Sequence, residues 1–563
     1  MENTYSIRNF KTFDSKGASV DFSPITFITG ENSSGKSSIV KSLVLFERYL
    51  KKCQDEFIKL GIYRPFNNFL SFSDSSLKLG RYSTCYCNSA NKDDGMKFSY
   101  KIYSELLNEL ITVTYTFKHF AEDDLDNGHL WSVAVDDNNG EGIFELRSGD
   151  HYYDHYDYDC CELVYFSLKH FTTQLKNLNV FDGLKYIKKD DASIAFNLIK
   201  KDDELTNEEQ KTISDFIKGF KSCDGVEDLA SYCYLWLNNY KWGNEVFFQC
   251  ENDSDIFTSF EGAINDLTHS GNHGVSVILR NLDILAFLKG RRKIENVLSR
   301  FYKEILERFM RDVFFPVFIG NINYIVTSKV ELTRLYTVGD NSDLMGNFIE
   351  EYFSLKKKWG YSYAYSHNNY YPGDFINKWI GKFKIGDKFE LEYNNNGQGV
   401  TLYIDGRVVA DEGYGITQLL TIMINIEKAI LSSKCRSNEP DEVGCNYNDY
   451  DPQTLVIEEP EVHLHPNFQS MLADMFYDAY HRFNIHFIIE THSEYLIRRS
   501  QVLVAQGKFD TNEAAEKDSK FRTIYVPRNC APYSLGYRKD GRFAEDFGSG
   551  FFDESARQMF QIL

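Results

Sequence analysis

Eight residues, "GENSSGKS" from Gly30 to Ser37, fit the pattern G-x-x-x-x-G-K-[ST] and lie between an apolar run, "PITFIT" from Pro24, and a periodic apolar stretch from Ser37 to Lys51. A chain that only had to turn would use two or three residues here. The glycines let the backbone curl so that the amides of Gly30, Glu31, Asn32, Ser33, Ser34, Gly35, Lys36, Ser37 and Ser38 gather at the positive end of a helix, an arrangement that holds phosphate. Lys36 then reaches the outer phosphates of a nucleoside triphosphate, ATP, and the Ser37 hydroxyl is a ligand for magnesium.

Three later segments carry matching chemistry. "TLVIEEPEVHLHP" delivers Glu458 and Glu459 at the tip of an apolar strand. Glu458 is placed to hold the Mg²⁺ shell and Glu459 to orient and deprotonate an attacking water. Because consecutive strand residues point to opposite sides, the two acids are expected to do different work. "IHFIIETHSEYLIRR" brings Thr491, His492 and Ser493 after a second apolar strand, and an imidazole there can hydrogen-bond the terminal phosphate and sense its loss. In "DEGYGITQLLTIMINIEKA", Asp411, Gly413 and Gly415 precede a helix expected from Ile416 to about Leu431, a second phosphate-ready helix start with Gln418 in its first turn.

The elements that must position these groups alternate strand and helix, which predicts an α/β fold of the P-loop type. Strand patterns occur at "TYSIRNF", "ASVDF" and "PITFIT", again from Lys97 to Phe117 and around Leu163 to Phe166. From His170 to Phe315 the pattern turns mainly helical. Strands resume at "NINYIVTSKVEL" and in a hairpin, "KFELEYNNNGQGVTLYIDGRVV". The expected division is an N-terminal lobe over 1–166, an inserted helical domain over 167–320 and a C-terminal lobe over 321–563.

At 563 residues, 42% hydrophobic and 26% charged, the chain is of ordinary globular composition and long enough for two or three domains. Its net charge of −20 excludes accumulation on nucleic acid by charge alone, so such binding needs a local basic face. The 11 cysteines form no Cys-x-x-Cys pair and read as reduced thiols. No run of eighteen apolar residues and no basic, apolar N-terminus is present, so a cytoplasmic protein is expected, neither secreted nor membrane-spanning.

The order of P-loop, glycine signature, paired acids and histidine resembles the ABC-type ATPase heads of the SMC, RecF and OLD (overcoming lysogenisation defect) families. "EEPEVHLHP" is similar to the acidic strand and loop of OLD-type AAA ATPases, and "DEGYGITQ" to their signature. "GYRKDGRFAEDFGSGFFDE" resembles the tail of a bacterial ATPase group without a nuclease domain; the 71 residues after His492 leave no room for the Toprim nuclease of OLD proteins. The resemblance implies paired heads that sandwich two ATP molecules, Gly413 and Gly415 touching the γ-phosphate held by the partner copy and Glu461 to Pro466 lining the seam. It further implies a switch in anti-phage defence that controls a separately encoded nuclease or toxin. Glu458 stands where the family often has Asp. The glutamine loop of the family is not visible, with Asn67 and Asn68 the nearest candidates.

Weaker signals are "HYYDHYDYD" from His151 to Asp159, either a metal site or a tyrosine-rich strand; the basic runs Lys289 to Lys293 and Lys356 to Lys358, either nucleic-acid contacts or solvated faces; and the aromatic run "WGYSYAYSHNNYYPGD". The rival readings are an ATPase acting directly on DNA and a non-hydrolysing scaffold stabilised by ATP. A subunit count above two stays open.

Overall fold

The computed structural model describes residues 3–60, 65–119 except 75, 126–148, 160–179, 207–223, 229–239, 242–249, 302–314, 322–326, 334–337, 373–394, 399–435, 453–507 and 521–545 except 529, with a few isolated positions. His151 to Asp159, the two basic runs and nearly all of the aromatic run fall outside them. The chain forms two compact units: Arg48–Asp74 with Lys78–Gly320, and Asn3–Glu47 with Ser75–Leu77 and Asn321–Leu563.

The second unit is built on a six-stranded sheet in the order Ile322–Val326, Gln453–Glu458, Ile485–Glu490, Ile25–Gly30, Phe521–Val526 and Tyr533–Leu535. The first five strands are parallel and the last is antiparallel. A parallel strand covered on both faces must be apolar on both, which is why "ITFITG" is a continuous run with every residue buried rather than an alternation. Strand Ile25–Gly30, from the start of the chain, thus lies between two strands from its end. The core beside it joins Ile25 and Phe27 to Leu455, Ile457, Phe487 and Ile489, covered by helices Tyr414–Cys435 and Pro466–Phe483 through Leu419, Met423, Leu472 and Phe476.

The expected hairpin is present as Phe389–Asn394 paired with Gly399–Ile404. The helix after the phosphate loop runs Lys36–Leu60, longer than the sequence periodicity suggested. Its extension, "KCQDEFIKL", contains no proline or glycine, and the first breaker is Gly61.

The first unit carries an antiparallel meander of Met96–Ser104, Glu109–Lys118, Gly128–Asp136, Gly142–Ser148, Cys160–Phe166 and Trp242–Gln249. Strands Met96–Ser104 and Glu109–Lys118 alternate buried and half-buried positions and put Phe98, Tyr100, Val113 and Tyr115 inside. The stretch read as mainly helical holds helices Thr172–Asn177, Asn207–Ser222, Leu229–Asn239 and Glu307–Phe314 among its described residues, together with the strand Trp242–Gln249.

Candidate functional site

The phosphate loop, Glu458, Glu459 and His492 lie in the second unit, at or just after the carboxyl ends of its parallel strands, and Gly413, Gly415 and Gln418 lie in the same unit. Gly30 closes the phosphate-loop strand at φ 144°, and a Cβ there would sit 2.2 Å from the Val526 carbonyl oxygen of the neighbouring strand, so only glycine fits. The loop turns back at Ser33 (φ 60°) and Gly35 (φ 110°) and enters the helix at Lys36, whose first turn holds no acid. Glu31, Asn32 and Ser33 are exposed, whereas Ser34 and Ser38 are buried beneath them. Lys36 is only 4% exposed, and its Nζ donates to the carbonyls of Gly30 (3.2 Å) and Glu31 (2.6 Å). Burial lowers the pKa of this ammonium, opposed by Glu490, Glu459 and Glu31.

The acids are arranged differently from the sequence expectation. Glu458 is the last strand residue, but Glu459 is not its pleat-mate: at φ 46° it leaves the strand in a left-handed turn and donates its backbone N–H to the Glu490 carbonyl, 2.8 Å away. A turn residue, not strand alternation, separates the two carboxylates. The true side-by-side partner of Glu458 is Glu490, opposite it in the parallel register. Glu490 was not singled out from the sequence. It is 3% exposed, and its Oε1 accepts the Ser37 hydroxyl at 2.6 Å. Burial pushes its pKa up; the Ser37 hydrogen bond and Lys36 pull it back, Glu458 and Glu459 push further, and the result is about 7. The signal for Glu490 was available, since "LVIE" and "FIIE" end two apolar strands in the same way.

His492 follows Glu490 on a loop pinned from beneath. Its backbone N–H donates to Oε1 of the buried Glu461 at 2.6 Å, Ser493 Oγ donates to Gln469 Oε1 at 2.6 Å, and Ser493 caps the next helix through the Leu496 N–H. The imidazole itself is exposed. Desolvation by the surrounding loops and the Lys36 charge lower its pKa, against the pull of Glu459, so the ring is neutral at neutral pH. Glu461, placed by resemblance along a seam between copies, anchors the histidine loop within its own chain, and burial raises its pKa.

The glycine-signature helix begins at Tyr414, two residues before the expected start. Gln418 was expected at the nucleotide. In the structure it is 3% exposed, and its amide donates to the carbonyls of Glu459 (3.1 Å) and Pro460 (3.0 Å), satisfying backbone acceptors of the turn that carries Glu459. Gly415 also has an intramolecular reason: a Cβ there would stand 2.8 Å from the His463 carbonyl oxygen. Gly413 is exposed and a Cβ on it would touch nothing. In the first unit, Asn68 is buried and donates to Glu56 at 2.8 Å.

These donors fit a magnesium nucleotide. The glycine-shaped loop and acid-free helix start form an anion cradle, and the Ser37 hydroxyl, the Glu458 carboxylate and Glu490 Oε2, buried without a hydrogen bond, are hard oxygen donors suited to Mg²⁺. A separate group of possible metal ligands, Asp137, Glu141 and His170, lies in the first unit. Lys169 Nζ sits 2.6 Å from Glu141 Oε2, and Asp137 Oδ1 accepts the N–H groups of Asn139 and Glu141, so this group already has internal partners.

Residues 1–497 match the family described as AAA ATPase domain. No curated protein matches the chain. Among solved structures, the Smc head domain with an extended coiled coil bound to the C-terminal domain of ScpA, from Pyrococcus furiosus, is 11% identical with a TM-score of 0.33, covering 99% of this chain and 98% of that one. The Smc head domain with a coiled coil and joint from Pyrococcus yayanosii is 11% identical with a TM-score of 0.35, covering 96% and 97%. The SMC head domain from Thermotoga maritima is 9% identical with a TM-score of 0.29, covering 96% and 100%. At such identities and TM-scores these likenesses assign nothing to this chain. The α/β P-loop fold expected from the sequence is borne out by the parallel sheet and the family match. Among the described residues no helix is long and apolar enough to cross a membrane.

Proposed function

Because the chain belongs to the AAA ATPase domain family, we propose that it binds ATP with Mg²⁺ in the loop Gly30–Ser38 and hydrolyses it. The observation that carries this reading is the meeting of Ser37 and Glu490, 453 positions apart in the chain, beside Lys36, Glu458 and Glu459. Ser37 and Glu458 would hold Mg²⁺, which would supply positive charge against the phosphate oxygens. Lys36 binds the outer phosphates. Glu459, aimed off the strand by its left-handed turn, orients water and accepts its proton, and the neutral His492 offers one hydrogen bond toward the terminal phosphate.

The wider role in the proposal is a switch. Two copies close on ATP, the exposed Gly413 of one facing the nucleotide of the other, and opening after hydrolysis controls a separately encoded nuclease or toxin in bacterial anti-phage defence. The chain order assigned to it is a nucleotide-binding lobe over 1–166, an inserted domain over 167–320 and a C-terminal lobe over 321–563, all in the cytoplasm. The Glu459→Gln variant tests the chemistry: it is expected to keep ATP and lose turnover. Unchanged turnover would favour the non-hydrolysing scaffold instead. Co-purification with the products of neighbouring genes tests the effector, and recovery of the chain alone under ATP-trapping conditions would count against one.

A further inference from the structure

Glu490 is costly to keep as a carboxylate where it stands. A buried acid needs charge or hydrogen-bond donors around it, and a neutral glutamine would accept the Ser37 hydroxyl equally well. Instead the side chain is 3% exposed, and Oε2 is sealed from solvent and receives no hydrogen bond. Its charged surroundings are two further carboxylates, Glu458 and Glu459, and one ammonium, Lys36. Among the groups that act on it most, acids outnumber bases, an arrangement that favours a cation at this edge of the sheet.

The strand register fixes the geometry. Glu458 and Glu490 are opposed residues of adjacent parallel strands, so their carboxylates leave the sheet at the same level, about 4.8 Å apart at the backbone. The Ser37 hydroxyl already lies 2.6 Å from Glu490 Oε1. A hydroxyl bonded to one carboxylate, with a second carboxylate opposite it in the strand register, matches the small number of protein oxygens that Mg²⁺ and Mn²⁺ take alongside water and phosphate.

We propose that Glu490 is a direct oxygen ligand of the divalent cation, and that with Ser37 and Glu458 it holds that cation before any nucleotide binds. This deepens the nucleotide-site reading and rests on it for the identity of the loop. A glutamate used only to brace Ser37 makes a different prediction, because glutamine braces it as well.

The test is titration of the full-length, EDTA-stripped protein with Mn²⁺ alone, free Mn²⁺ being followed by electron paramagnetic resonance. The wild type is expected to bind one ion per chain, and Glu490→Gln to bind it at least about tenfold more weakly. Equal affinity in the two proteins, or no Mn²⁺ bound by the wild type, overturns the assignment. Thermal unfolding in EDTA guards against misfolding: Glu490→Gln should melt no lower than the wild type, since a repelling charge has gone. If it melts lower, Ser37→Ala, whose side chain is exposed, takes its place, with weakened Mn²⁺ binding expected and unchanged binding overturning the proposal. ATP binding by the wild type in Mg²⁺ is read in parallel. Its absence fails the nucleotide reading by itself, whereas ATP binding with an unaltered Mn²⁺ affinity in Glu490→Gln fails the ligand assignment alone.

Discussion

Two regions of this protein gather the same residue types and treat them in opposite ways. At the hairpin corner of the first unit, Asp137, Glu141 and His170 come together, and each has a partner. Burial pushes the Asp137 carboxyl up, but the N–H groups of Glu141 and Asn139, with His170 at 3.5 Å, more than reverse it, and Lys169 lowers Glu141. At the parallel edge of the second unit, burial and neighbouring acids raise Glu490 and Glu461. The Asp137 carboxylate is satisfied by donors of its own corner, whereas Glu490 keeps a buried oxygen that receives no hydrogen bond. Composition alone would have ranked the two clusters equally.

Variants can sharpen or break that contrast. The largest effect is expected from Glu459→Gln, with turnover reduced about 10²- to 10⁴-fold and ATP retained; a small loss in a phosphate-release assay would put the general base elsewhere. Lys36→Ala should weaken ATP by about 10- to 100-fold, as loss of a charged hydrogen bond does, and fluorescence titration reads it. Gly415→Val should destabilise the chain by about 1–3 kcal/mol through collision with the His463 carbonyl, while Gly413→Ala should stay within about 0.5 kcal/mol in the same denaturant melts. Equal costs would contradict the different surroundings of the two glycines.

The smallest effect belongs to the satisfied cluster. Asp137→Asn should cost about 1 kcal/mol of stability and leave turnover unchanged. Since the folded pKa of Asp137 is depressed, its contribution is present above the ordinary carboxylate range and is lost as pH falls below about 4. The gap between wild-type and variant melts should therefore be full at neutral pH and close under acid. A gap that widens toward acid would contradict the hydrogen-bond account of this corner.

The phosphate loop was legible because its chemistry is local: eight consecutive residues, with the strand and helix on either side. The fully apolar strands before Glu458 and Glu490 could be read for the same reason. Glu490 was legible only as an acid ending a second apolar strand; its role was not, because that lies in register with Glu458 and in contact with Ser37, both long-range facts. Glu459 was assigned by strand alternation and is governed instead by a left-handed turn. For Gln418, placed by the sequence in a helix's first turn, the carbonyls it bonds, 41 and 42 positions away, could not be read from local pattern. The strand Trp242–Gln249 was hidden in a stretch read as helical, since its pairing partner, Cys160–Phe166, is remote in sequence.

The claim on which the account turns is that one copy's phosphate loop works with another copy's glycine signature. Equal amounts of Lys36→Ala and Gly413→Asp protein, mixed and assayed for ATP turnover, test it most directly. Random pairing gives half mixed dimers, each with one intact site of two, so about a quarter of wild-type activity should return although neither variant is active alone. A mixture no more active than its separate components would contradict the shared site.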